Sequence, residues 1–250
     1  MVQAENPVNT VEVCFSPVLF PEILTHGDFI VVLVDILRAT TSICTAFENG
    51  VRSIIPVATL EEAKAWKDRG YLVASEQDGK KLDFADFGNS AFSFSRDRVE
   101  GKILVYCTTN GTRALEVAKG SNLVVIGSFL NLDALASWLT GQNRNTVILC
   151  SGWKNKFCLE DSLFAGALAL RLLETGKFET ACDSARASID IWKVAGTDLM
   201  GYLEKASHRQ RLRRLKLDDV IPYTFTTGIT AKVPVFNGRE IVAEQTKKSE

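Results

Sequence analysis

The residues best suited to chemistry in this chain fall in three short segments. The first, residues 31–41, reads VVLVDILRATT: an apolar, mostly β-branched run leads into Asp35, Arg38 follows three positions later, and then come Thr40 and Thr41. Such a run reads as a buried strand. Its carboxyl end, where open α/β sheets bind ligands, would carry a carboxylate, a guanidinium and two hydroxyls. A carboxylate can hold a hard cation, and an arginine fork with hydroxyls can hold a phosphate. The second segment is Thr108, Thr109, Asn110 and Gly111, which runs from a strand pattern into a helix pattern. Gly111 permits tight curvature, and a helix N-terminus offers free N–H groups, so the turn can cradle an anion; a well-capped helix start would read the same way. Neither a Gly-Lys-Ser/Thr loop nor a G-x-G-x-x-G fingerprint accompanies it. The third segment is Glu160-Asp161 at the head of a long apolar-patterned stretch. Acids there favour a helix N-terminus, or they ligate a metal beside Asp35.

Other residues compete for roles. Glu76 ends a strand pattern, and Asn89 sits in a Gly88-Asn89-Ser90 turn; either could join the site. Cys107 and Arg113 stand in C-x5-R spacing, the pattern in which a thiolate attacks a phosphate wrapped by loop amides and an arginine. Ala114 follows that arginine where a hydroxyl residue is usual. His26 lies in a Thr-His-Gly-Asp turn and reads as solvent-facing, whereas His208, ahead of a basic stretch, is a candidate substrate contact. Two distant histidines give no H-E-x-x-H zinc site and no clear serine triad.

The elements that must position these groups alternate. Strand patterns cover residues 11–15, 29–35, 51–57, 71–76, 103–107, 122–126 and 146–150. Helix patterns cover 41–49, 59–69, 112–119, 131–139 (capped by Asn131), 159–174, 180–195 and 198–205. Thr59 and Glu62 form a capping box. Asn237-Gly238 marks a closing hairpin between strands 232–236 and 240–243. The pattern implies an α/β fold with a mixed, mainly parallel sheet and helices on both faces. Residues 31–66 superpose on 102–138 with a shift of about 70 positions, which suggests an internally duplicated β-α-β-α unit. We expect a single domain over residues 1–243, or two lobes dividing near residue 100, and a frayed tail at 244–250.

Composition narrows the classes. The 250 residues are 46% hydrophobic and 24% charged with net charge −1, so nothing attracts the whole chain to nucleic acid or an acidic membrane. Residues 203–216 are locally basic, as a solvated helix face would be. Six cysteines without a C-x-x-C pair read as reduced, hence a cytoplasmic protein. The chain shows no secretory signal pattern and no apolar stretch of about 18 residues.

Ten segments in order, among them FSP (15–17), VDILRATTSI (34–43), PVATLEEA (56–63), FGNS (87–90), TTNGTRAL (108–115), IGSFLN (126–131), CSG (150–152), FCLEDSLFAGAL (157–168), SHRQRL (207–212) and VPVFNG (233–238), resemble the 2-phosphosulfolactate phosphatase family. The resemblance implies a three-layer α/β/α fold and Mg²⁺-dependent hydrolysis of 2-phospho-3-sulfolactate to 3-sulfolactate and phosphate, a step toward coenzyme M. It carries over at Asp35, Arg38, Thr40, Asn89, Thr108 to Gly111, Glu160 and Asp161. Three departures touch the pocket rim: Cys107 stands where the family tends to a threonine-type residue, Ser207-His208-Arg209 lacks the family's glycine, and SGWKNKF (151–157) is rich in lysine. On this reading Asp35, Glu160 and Asp161 hold Mg²⁺, and Arg38, Thr40, Thr41, Asn89 and the Thr108–Gly111 turn clamp the phosphoryl group. Arg113 or Arg209, with His208, meets the substrate's second anion. The nucleophile is either a metal-activated water or Asp35 itself, which lacks a D-x-D partner because Leu37 occupies that position. Two alternatives stay open: a cysteine-dependent phosphatase using Cys107 and Arg113, and a non-catalytic binder of phosphorylated metabolites. The expected partner is a small anionic phosphorylated substrate, with no nucleic acid and no membrane; a homodimer is left open.

Overall fold

The computed structural model describes residues 8–23, 28–108, 110–121 and 123–245. His26 and Thr109 lie outside the described residues. In chain order the strands are β1 (Asn9–Cys14), β2 (Phe29–Val34), β3 (Ser53–Pro56), β4 (Leu72–Gln77), β5 (Lys80–Lys81), β6 (Ile103–Cys107), β7 (Leu123–Gly127), β8 (Asn145–Cys150), β9 (Phe178–Glu179), β10 (Lys232–Phe236) and β11 (Ile241–Gln245). The helices are α1 (Phe20–Ile23), α2 (Ala39–Glu48), α3 (Leu60–Asp68), α4 (Arg96–Val99), α5 (Gly111–Ala118), α6 (Leu132–Gln142), α7 (Leu159–Glu174), α8 (Asp183–Ala195), α9 (Leu199–Leu203), α10 (Ser207–Arg214) and α11 (Ile221–Thr224).

All six residues of β2 are buried, as an apolar run between two helical layers requires. Alternation sends Ile30, Val32 and Val34 to one face, where they join Leu135, Phe164 and Leu168 of α6 and α7. Phe29, Val31 and Leu33 go to the other, with Ile43 and Phe47 of α2 and Leu115 of α5. Each such buried side chain contributes about 2 kcal/mol of apolar transfer. The result is the expected three-layer α/β/α arrangement with a mixed, mainly parallel sheet.

Strand order is β5-β4-β6-β3-β11-β10-β7-β2-β8-β1-β9. β2 lies between β7 and β8, and β6 lies between β3 and β4. Exchanging β2 with β6, β3 with β7 and β4 with β8 therefore maps the eight central strands onto themselves, with the β10–β11 hairpin in the middle. The β3–β11, β11–β10 and β10–β7 contacts are all antiparallel, so the two halves of the sheet run in opposite senses. This is the topology of an internal two-fold, matching the repeat seen at residues 31–66 and 102–138. The counterpart helices α2 and α5 meet at their starts: a Cβ built on Gly111 would lie 2.9 Å from the Ala39 Cβ.

Local signals held where the backbone is their own cause. Thr59 accepts from the Glu62 N–H, and the Glu62 carboxylate accepts from the Thr59 N–H, closing the capping box. Others yielded to tertiary contacts. Asn131 is the N-cap residue of α6, but its amide does not cap that helix; it accepts from Ser128 N–H at 3.0 Å and donates to the Ile126 carbonyl at 3.1 Å. The helix expected from residue 180 begins at Asp183: Phe178–Glu179 pair with β1, and Thr180 Oγ1 then accepts from the N–H of Cys182, the N-cap residue, at 3.1 Å. Glu244 and Gln245, expected in a frayed tail, pair with Val233 and Lys232, and Glu244 accepts from the Trp138 indole N–H at 2.9 Å.

Candidate active site

The turn from β2 into α2 is built by its own hydroxyls. Thr40 donates both its N–H and its Oγ–H to the Asp35 carbonyl at 2.9 Å, and its Oγ1 accepts from the Asp35 N–H at 3.1 Å. Thr41 donates to the Ile36 carbonyl at 2.9 Å and shares a 3.3 Å contact with Ser128 Oγ. The two threonines assigned from sequence to the phosphate thus spend their hydroxyls on the loop. What they hold in place is Asp35, whose Oδ1 accepts from the Ala39 N–H at 3.3 Å. The Leu37–Arg38 peptide within this turn is cis.

Asp161 fastens this turn to the next strand end. Its Oδ1 accepts from Ile36 N–H at 2.9 Å and its Oδ2 from Gly152 N–H at 3.1 Å. Both oxygens are engaged by backbone, so Asp161 ties the β2 and β8 loops together. Glu160, one residue earlier in α7, instead meets His208 of α10, with Nδ1 2.9 Å from Oε1. Cys158 completes this corner: one ligand atom from each of Cys158, Glu160 and His208 lies within 4.8 Å of the others.

A small pocket opens between these elements, lined by Asp35, Arg38, Glu76, Asp78, Gly79, Asn89, Asn110, Trp153, His208 and Arg211 among others. Its free volume is about 20 Å³, room for about one water molecule. Arg38 donates to the Gly79 carbonyl at 2.9 Å, and Gly79 N–H donates to Glu76 at 2.6 Å, so the β4–β5 turn closes over the guanidinium. Arg211 pairs with Asp78 at 3.3 Å across the mouth, with its guanidinium 4.9 Å from the Trp153 ring centre. Asn89 accepts from the Tyr106 hydroxyl.

The second half of the molecule supplies the helix end. A Cβ on Gly111 would stand 3.1 Å from Thr108 Oγ1 and 3.3 Å from Asp35 Oδ2, besides its clash with Ala39. Only glycine lets the α5 N-terminus, with its partial positive charge, come this close to the Asp35 carboxylate. Burial pushes Asp35 up from 3.8 to about 6; His208 opposes the rise, and the charges of Glu76 and Glu160 add to it. Asp161 is raised well above the ordinary carboxylate range, first by burial and then by Glu160 and Asp35. A pocket that gathers acids at this cost in charge repulsion is suited to a cation.

Several residues chosen from sequence do not reach this pocket. Arg113 is exposed and lines a separate cavity of about 430 Å³ with Cys107, Thr108 and Thr112. Arg209 donates to the Met200 carbonyl at 2.6 Å and pairs with Glu204 at 2.6 Å. Burial holds the Cys107 thiol at about 11, so it is protonated at neutral pH; the thiolate mechanism needs the opposite. Trp153, Arg211 and Cys158 were missed. Arg211 had a signal: it stands three residues after His208 on one helix, the spacing that puts two side chains on one face. Cys158 had none, because its partner His208 lies fifty positions away and only folding joins them.

A family model described as 2-phosphosulpholactate phosphatase matches residues 14–239. A protein of Prochlorococcus marinus named probable 2-phosphosulfolactate phosphatase is 39% identical over 191 residues, covering 74% of this chain and 79% of its own. Proteins with the same name from Caldanaerobacter subterraneus and Thermotoga petrophila are 35% and 34% identical, over 82% and 85% of this chain and 86% and 92% of theirs.

Proposed function

This chain belongs to the 2-phosphosulfolactate phosphatase family, and from that premise we propose that it hydrolyses 2-phospho-3-sulfolactate, or a close relative that joins a phosphomonoester to a second anion, to the hydroxy acid and phosphate. One observation carries the reading: at the α5 N-terminus only the missing side chain of Gly111 separates the helix from Asp35, since a Cβ there would stand 3.3 Å from Oδ2, and Asp35 lines a pocket with Asn110 and Arg38. A cation-binding acid and an anion-binding helix end side by side are what phosphate-ester cleavage needs, since it depends on positioning and charge neutralisation.

Mg²⁺ is the cation the family resemblance implies. The donors fit a divalent ion: Asp35 presents a buried carboxylate whose ionised form is opposed by burial and by the charges of Glu76 and Glu160, and Mg²⁺ prefers oxygen ligands. When bound there, it would neutralise phosphoryl charge and weaken the bond to the leaving oxygen. The chain's own residues do the rest. Arg38 exchanges the Gly79 carbonyl for phosphoryl oxygens, which match its planar fork. Asn110 and the α5 N-terminus face the developing charge. Arg211, on the Trp153 ring, meets the sulfonate or carboxylate in place of Asp78. Asp35, raised by burial to about 6, attacks phosphorus or accepts the proton of an attacking water. Asp161 positions Asp35 by holding the Ile36 amide.

Phosphate release from 2-phospho-3-sulfolactate and from an aryl phosphate, each with and without EDTA, tests the reading. Release that EDTA abolishes is expected. Undiminished release in EDTA would sink the cation's role, and no release from either ester would sink the phosphatase.

A further inference from the structure

The corner made by Cys158, Glu160 and His208 combines three ligand chemistries that the reaction outlined above does not require together. Cys158 is the N-cap residue of α7, Glu160 lies in that helix's first turn, and His208 lies in the first turn of α10. They are 5%, 1% and 8% exposed. Their ligand atoms, a thiol sulfur, a carboxylate oxygen and an imidazole nitrogen, fall within 4.8 Å of one another, and this is the one such group of three among the described residues. Around a four-coordinate cation with bonds of about 2.0 to 2.3 Å, ligand atoms sit about 3 to 4 Å apart. The 2.9 Å separation of His208 Nδ1 from Glu160 Oε1 is already near that spacing.

We propose that Cys158, Glu160 and His208 form a three-ligand cation centre whose remaining position opens on the pocket beside Asp35, and that it takes a Zn²⁺-like cation in preference to Mg²⁺. Three features favour this choice. Mg²⁺ demands nearly octahedral oxygen ligands, whereas thiolate and imidazole suit Zn²⁺ and its first-row neighbours. A thiolate and a carboxylate carry two negative charges, which a divalent cation cancels, so the loaded cluster is neutral where burial penalises net charge. His208 also borders the pocket, whose space for about one water leaves room for one further donor, the open position that separates catalytic from structural zinc sites. Loading conserves charge and protons: the cation replaces the thiol proton of Cys158, which leaves to solvent. Among the other cysteines Cys14, Cys44, Cys107 and Cys150 are buried outside any such cluster.

The proposal rests on the phosphatase reading only in taking this pocket as the reactive one. Co²⁺ titration of the metal-free protein tests it without turnover. Expected are one equivalent bound, an intense near-ultraviolet thiolate-to-cobalt absorption, release of about one proton, displacement by Zn²⁺ and none by a large excess of Mg²⁺. Cys158→Ser loses the absorption and the proton, and Cys182→Ser keeps both. Should Cys158→Ser fail to fold, X-ray absorption of the Zn²⁺-loaded wild type decides, by a sulfur neighbour at about 2.3 Å or its absence. Co²⁺ bound without the thiolate band, or the same band in folded Cys158→Ser, overturns the centre. Cation-dependent phosphate release without the band refutes the centre and spares the phosphatase; the band without phosphate release does the reverse.

Discussion

Replacing Asp35 with Asn should stop turnover and, in the cation-free protein, raise stability. The second effect follows from the pocket's electrostatics. Burial and the charges of Glu76 and Glu160 lift Asp35 from 3.8 to about 6, so its ionised form is worse off in the folded state than in the unfolded one. Because the folded value lies above the unfolded one, the native state binds more protons between about pH 4 and 6, and stability falls as pH rises through that window. Above it the full penalty stands, about 3 kcal/mol for a rise of this size. Asparagine keeps the shape, carries no charge, and its Oδ1 can still accept from Ala39 N–H. The rise already includes the opposing effect of that bond on the ionised form, so a gain of about 3 kcal/mol is expected at pH 7.5. Urea unfolding in EDTA at pH 7.5 and pH 4.5 reads it directly: Asp35→Asn leads the wild type at the higher pH, and the gap narrows at the lower. A variant no more stable than wild type at pH 7.5, or a gap that ignores pH, would refute the account of Asp35 as a strained charge awaiting a cation.

Gly111→Ala should cost at least tenfold in kcat/KM and about 1 to 3 kcal/mol of stability, since the new methyl meets the Ala39 Cβ at 2.9 Å and crowds Asp35; steady-state kinetics and thermal melting check both. Cys107→Ser should retain activity, because the thiol is held protonated at about 11; inactivity of the folded variant would restore the thiolate mechanism. Arg211→Ala should raise KM for a doubly anionic ester at least tenfold and leave an aryl phosphate nearly untouched, whereas Arg113→Ala and Arg209→Ala should change neither; equal losses on both esters would remove Arg211 from specificity.

Much of this was legible before folding because its cause is local. β2 reads as a two-sided buried strand from its own apolar run, and α3 declares its start through the Thr59–Glu62 box. Asp35, Glu160 and the turn before α5 stand at strand-to-helix junctions, where α/β sheets expose polar groups. The suggested repeat of residues 31–66 at 102–138 reappears as the symmetric placing of β2 and β3 against β6 and β7 about the central hairpin.

What the sequence could not say is where each side chain points once helices are packed. Thr40 and a phosphate-binding threonine look alike in the chain; only the turn shows the hydroxyl spent on the Asp35 carbonyl. Three arginines compete at 113, 209 and 211, and the phase of α10 against the sheet turns Arg211 inward and Arg209 toward Glu204. Glu160 and Asp161 are neighbours, yet helix geometry sends one to His208 and the other to two backbone amides. The sequence by itself determined the elements, their order and the kinds of groups at their ends, because periodicity and turn chemistry act over a few residues. Tertiary structure alone decided which of those groups meet, because contacts such as Gly111 with Asp35 or Cys158 with His208 join segments far apart in the chain, and their geometry is set by the packing of the layers between them.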